Sequence, residues 1–185
     1  MTDAQIKAQT QAWLETVIIA HNICPFAHKV HNQDSIRYRV CHGHNLELCL
    51  ETLILECVRL DTAPDIATSL VIYPNAFNTF VDYLDFLAIA ESLLIEQGYE
   101  GVYQLASFHP DYCFEGSDES DPANYTNRSP YPMLHLLRED SLEIALRSYP
   151  DPENIPLRNI ELTHRLGKAK MQDLLDACYQ VKPES

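Results

Sequence analysis

Ala67-Thr68-Ser69-Leu70-Val71-Ile72-Tyr73 is an apolar run of strand length, closed by the turn pair Pro74-Asn75. It predicts a buried strand. Upstream, Ser35 to Cys41 alternates, with Ile36, Tyr38 and Val40 on one face, as a strand does. Between the two, Asn45 can cap a helix whose apolar positions are Leu46, Leu50, Leu53, Ile54 and Val58. Downstream, Asn78 or Thr79 opens a Leu-rich helix that Gly98 ends as a C′ glycine, and Gly101 to Phe108 reads as a third strand. The strand–helix–strand–helix–strand order predicts two right-handed crossovers and parallel strands. Their carboxyl ends would share one edge, carrying Cys41 and His42, then Tyr73 to Asn75, then Ser107 to His109. Ligands in open α/β sheets favour such an edge.

Further out, Asp3 can cap a first helix that runs to about His21, with an apolar stripe of Ile6, Trp13, Leu14, Val17 and Ile18. Asn22-Ile23-Cys24-Pro25 interrupts it. Met133 to Leu137 reads as a fourth strand, and Asp140 or Ser141 opens a short helix. Pro156 suits the first turn of a last helix, which breaks at Gly167 and resumes to Tyr179. Between the third and fourth strands lies an irregular stretch, residues 109–132, long enough to suggest function or disorder. The expected fold is one α+β domain over residues 1–185, a two-layer domain with a mainly parallel sheet of about four strands packed by helices.

With 13 Lys and Arg against 27 Asp and Glu, the formal net charge is −14. Such a field repels phosphate backbones and anionic membrane surfaces, so neither nucleic acid nor membrane is an expected partner. The stretch from Ala4 to Ala20 carries Lys7, Glu15 and several Gln, and lacks the apolar core of a secretory signal. Six cysteines form no C-x-x-C pair, and reduced thiols in the cytoplasm are expected. Five glycines form neither a G-x-G-x-x-G run nor a P-loop, and no cofactor is expected.

The candidate chemistry lies outside the periodic elements. Pro25 suits the start of a short helix, which would put Cys24 at its N-cap and favour the thiolate. The rival reading is a small buried thiol at a helix corner. His109-Pro110-Asp111 follows a strand, where His109 could act as acid or base and Asp111 could share its cavity; otherwise both fix the loop. Between Arg59 and Arg128 there is no Lys or Arg, and twelve acids intervene. Arg128, with Asn127 and Ser129, therefore suits a carboxylate or phosphate ligand, or an acidic side chain that pins the loop. His109 or His135 could complete a nucleophile–base pair with Cys24. His28-x-x-His31 and His42-x-His44 can chelate, but neither forms a recognised four-ligand pattern, and no resident metal is expected.

The segments Asn22-Ile23-Cys24-Pro25-Phe26-Ala27, Ser107-Phe108-His109-Pro110-Asp111-Tyr112 and Tyr125-Thr126-Asn127-Arg128-Ser129-Pro130-Tyr131-Pro132 resemble the signatures of domain-of-unknown-function family 1415. Leu134-His135-Leu136-Leu137-Arg138-Glu139 and Ile155-Pro156-Leu157-Arg158-Asn159-Ile160 extend the resemblance over most of the chain. It implies a bacterial, cytoplasmic protein and no assigned activity. Cys113 stands where the family pattern has Gln, and His28, His31, His42 and His44 are not family features.

Three functions compete on this reading. The first is an enzyme acting on a small anionic molecule, with His109 and Asp111 as acid/base groups and Cys24 as nucleophile or wall. In it Arg128, Asn127, Ser129 and His135 bind the ligand. The second is a metal-binding protein using His109, Asp111, His135 and Cys24. The third is a non-catalytic protein-interaction module, in which the same residues only brace the long loop.

Overall fold

Four strands form one sheet in the computed structural model of the protein, which describes residues 1–183. They are β1 (Ile36–Val40), β2 (Thr68–Ile72), β3 (Tyr103–Phe108) and β4 (Met133–Arg138), in the order β1-β2-β4-β3. β1 and β2 are parallel, and β2 and β3 both run antiparallel to β4. The first three strands thus point one way, and β4 runs against them in the slot that the second crossover leaves open. The sheet is mixed, not mainly parallel as the order of elements suggested. Hydrophobicity explains the insertion. Met133, Leu134 and Leu136 of β4 are buried on alternate faces, as suits an inner strand, whereas β3 exposes Gln104 and suits the edge.

The helices arise as their caps dictate. Asn45 Oδ1 accepts from Leu48 N at 2.9 Å and opens α3 (Leu46–Thr62). Thr79 Oγ1 accepts from Asp82 N at 3.2 Å and opens α4 (Phe80–Glu96), and Gly98 leaves that helix at φ +80°. α1 (Asp3–Trp13) is capped by Thr2 rather than by Asp3, and continues as a π-helical segment, Leu14–Ile19. There Ala20 N and Ile23 N reach back five residues, to Glu15 O and Ile18 O, each at 2.9 Å. α2 (Ala27–Asn32) precedes β1, α5 (Glu139–Ser148) follows β4, and α6 (Ile155–Leu166) and α7 (Lys168–Tyr179) meet at Gly167. Among the described residues no helix is long and apolar enough to cross a membrane.

Strand alternation splits the core in two. Val71, Tyr73, Leu134 and Leu136 pack against Leu53 of α3 and Phe86 and Ala90 of α4. Leu70, Ile72 and Met133 pack on the opposite face against Ile6, Trp13 and Val17, with Met171 and Leu175 of α7. Helices therefore cover both faces, giving three layers instead of the expected two. The inner strands are apolar on both sides, and the stripes of α1 and α7 need the same shelter. One charge is buried beside the first core. Glu56 of α3, 3% exposed, accepts from Arg37 Nε at 2.8 Å, Arg37 Nη2 at 3.3 Å and Ser69 Oγ at 2.9 Å, tying β1 and β2 to the helix.

Candidate functional site

The first-core face of the sheet is closely filled, but the opposite face is not. Between that face and the helices α2, α5 and α6 lies a cavity of about 1280 Å³. Register explains its floor. His135 of β4 sits between Leu70 of β2 and Ala106 of β3, and the small Ala106 leaves space beside the imidazole. No residue of α5 is buried, so this helix stands off the sheet and walls the cavity with Leu142 and Ala145. The π-helical segment brings Leu14 and Ile18 to the opposite wall beside Trp13.

Hydrogen-bond logic fixes the state of His135. Thr68 Oγ1 donates its one proton to the Leu136 carbonyl at 2.5 Å. Its 2.6 Å contact with His135 Nε2 must then be donated by the ring. Nδ1 is left as a lone-pair acceptor, and nothing among the described residues bonds it. It is not sealed in either: the Tyr73 hydroxyl is the single fully buried side-chain N or O atom without a partner among those residues. Nδ1 therefore opens on the cavity. Burial holds the ring neutral, with its pKa pushed down to about 4.

Of the residues singled out in the sequence, Cys24, Asn127 and His135 line this one cavity. Cys24 does not cap α2, whose first flanking residue is Phe26, and burial pushes its thiol up, away from the thiolate. Asn127 spends Nδ2 on the Ser107 carbonyl at 3.1 Å and Oδ1 on the Thr126 hydroxyl at 3.0 Å. His109, Asp111, Arg128 and Ser129 lie outside the cavity. His109 is 1% exposed, donates from Nε2 to the Phe77 carbonyl at 2.9 Å and accepts from Asp111 N at 3.0 Å through Nδ1. Both nitrogens are thus committed to backbone, and burial lowers the ring's pKa. The Asp111 side chain is exposed. Ser129 is buried and donates to the Tyr131 carbonyl at 2.6 Å.

The family assignment rests on the whole chain rather than on these residues. The sequence model of the family described as "Protein of unknown function (DUF1415)" matches residues 5–173. The chain belongs to the DUF1415 family. No curated protein and no solved structure matches it. Each of the five segments that carry the DUF1415 resemblance supplies cavity residues, among them Cys24, Phe108, Asn127, His135 and Asn159. The segment Tyr125 to Pro132 packs behind Trp13, whose Nε1 donates to the Arg128 carbonyl at 2.8 Å.

In this DUF1415 chain Arg128 pairs with no carboxylate among the described residues and is held by main-chain carbonyls and a ring. Its Nε donates to the Tyr112 carbonyl at 3.0 Å, its Nη2 to the Glu119 carbonyl at 2.9 Å, and its guanidinium lies 4.6 Å from the Tyr125 ring centre. Arg128→Lys loses the planar fork and is expected to cost roughly 1–2 kcal/mol of stability. Thermal denaturation with and without phosphate and acetate checks this. Selective anion stabilisation of wild type, absent from the variant, would contradict it. The isolated histidines are spent locally: His31 faces Glu15 at 3.5 Å, His42 faces Asp3 at 2.6 Å, and His44 lies 3.4 Å from the Asn75 carbonyl. No group of three or more His, Cys, Asp or Glu side chains among the described residues is arranged to hold a metal ion.

Trp13, Thr68 and Ala106 were not legible as site residues, because each is an ordinary core or strand residue by type. Trp13 reads as part of the apolar stripe of α1, and the signal of Thr68 and Ala106 exists only as inward positions on strands flanking an inward histidine. Cys41 was legible by its place on the carboxyl edge of the sheet but not by its chemistry. Its thiol is held well below the usual range by the Cys49 thiol, despite burial, and the Thr52 hydroxyl 3.3 Å away adds to this.

Proposed function

We propose that this DUF1415 protein binds a small, mainly apolar molecule in the cavity over its sheet. The observation that carries this reading is the cavity itself, apolar-walled, about 1280 Å³, with an open acceptor on its floor. Pockets for small organic ligands have this character: an apolar lining with few oriented polar groups. An anion is less well served. Arg138 gives its guanidinium to the Leu60 and Ile66 carbonyls, at 2.6 and 3.1 Å, Lys29 stands exposed at the rim, and Glu115 and Asp121 set two negative charges against it. Binding is favoured over catalysis because the groups at hand are not activated. Cys24 is kept protonated, and a histidine with its pKa near 4 is a weak base at neutral pH.

Trp13 is the one tryptophan in the chain and lines the cavity, so its fluorescence reports occupancy. Wild type is expected to bind the neutral dye N-phenyl-1-naphthylamine with one saturable site and energy transfer from Trp13. Ala106→Phe fills the floor beside His135 and should weaken that binding at least tenfold, about 1.4 kcal/mol, while unfolding stays cooperative. Equal binding by both proteins, or none by wild type, would refute the reading.

A further inference from the structure

We propose that the occupant is a neutral aromatic molecule that donates a hydrogen bond to His135 Nδ1, a phenol-like ligand rather than a carboxylate. This rests on the cavity being a binding site. The protein dictates the polarity of the contact. Because the Thr68 proton is directed to Leu136 O at 2.5 Å, the imidazole must present N–H to Thr68 and a lone pair to the cavity. A carboxylate oxygen facing that lone pair would meet acceptor against acceptor, in a site where an unpaired polar group is costly. A hydroxyl or ring N–H completes the chain ligand–His135–Thr68–Leu136, each member donating to the next.

The remaining lining argues for a flat ring. Trp13, Phe26, Phe108, Phe114 and Tyr149 contribute to the walls, with Trp13 edge-on to Phe108 at 5.1 Å and Phe26 edge-on to Tyr149 at 5.6 Å. Such walls offer ring faces and edges to an aromatic guest. Of the other polar side chains here, Asn159 Nδ2 donates to the Ile23 carbonyl at 2.8 Å, and Lys29, Gln33 and Ser141 are exposed residues at the rim. His135 thereby becomes the group that orients the guest.

Calorimetric titration with three naphthalenes of matched shape tests this: 2-naphthol, 2-methoxynaphthalene and 2-naphthoate. Wild type should bind the naphthol about tenfold more tightly than the ether, and the carboxylate most weakly. In His135→Leu the naphthol should fall to the level of the ether. Should that variant not fold, ¹⁵N spectra of wild-type His135 decide the same point, because the naphthol should shift Nδ1 and the ether should not. Equal affinity for naphthol and ether, an unmoved Nδ1, or tightest binding of the carboxylate overturns the donor inference and leaves the cavity reading standing. Binding of none of the three overturns the cavity reading itself.

Discussion

Glu56→Ala is expected to destabilise the fold by about 3 kcal/mol, the range found when one partner of a buried ion pair is removed. The carboxylate is 3% exposed and collects three donors from two strands. Its loss strands the Ser69 hydroxyl, which is fully buried, and frees Arg37 from β1, the strand at one edge of the sheet. Arg37 is about one-third exposed and can turn to water, which keeps the cost at the lower end of that range. Glu56→Gln retains an acceptor for Ser69 and should cost less. Urea denaturation of the three proteins measures the order. A loss below about 1 kcal/mol for the alanine variant would show that β1 is held by its pairing with β2 alone.

The second large effect is acid sensitivity in a window set by histidine. His135 titrates near pH 4 in the folded protein, against an ordinary value near 6.5, and burial lowers His109 as well. As pH falls below about 6.5 the unfolded chain takes up protons that the folded chain refuses, so stability declines with falling pH. The contribution is complete above about 6.5 and is lost progressively toward pH 4, with His135 supplying up to about 3 kcal/mol at roughly 1.4 kcal/mol per pH unit. Asp3 and Asp121 act in a lower window. His42 holds the Asp3 carboxyl down, and the Ala123 amide and His164 do so for Asp121; that stability is lost as pH falls through the lowered carboxylate values, below about 4. Denaturation midpoints at pH 7.0, 5.5 and 4.5 should fall steadily for wild type, with a flatter slope for His135→Leu. Parallel slopes would mean that water in the cavity lets the ring charge freely.

Several elements were legible because a local rule and the tertiary need agreed. Asn45, Thr79, Gly98 and Gly167 mark helix ends that the fold keeps. The common direction of β1, β2 and β3 follows from the helices that join them. The slot taken by β4 was not legible, since it depends on a return through a long loop that has no periodicity. The polar residues of the same loop have a structural role that residue type alone does not reveal. His109, Asn127, Arg128 and Ser129 look chemical because they are polar and clustered, yet each bonds a main-chain carbonyl. Apart from one short 3-10 turn, Pro122–Thr126, this loop must satisfy its backbone with side chains, and packed polarity is the result. His135 carries the opposite signal, a lone histidine within the apolar strand Met133-Leu134-His135-Leu136-Leu137, where only the pleat reveals which side it faces.

The insertion of β4 also has a history in time. A chain made from its N-terminus can pair β1 with β2 once α3 has emerged, since domains begin to fold during synthesis. β3 then appears while its neighbour in the finished sheet is still inside the ribosome, and residues 109–132 must follow before Met133 arrives. Until then the flanks of β2 and β3 that will receive β4 show bare N–H and C=O groups, a template for pairing with foreign strands. A chain that has not yet delivered Met133 thus leaves two unfilled inner edges, which β4 alone closes.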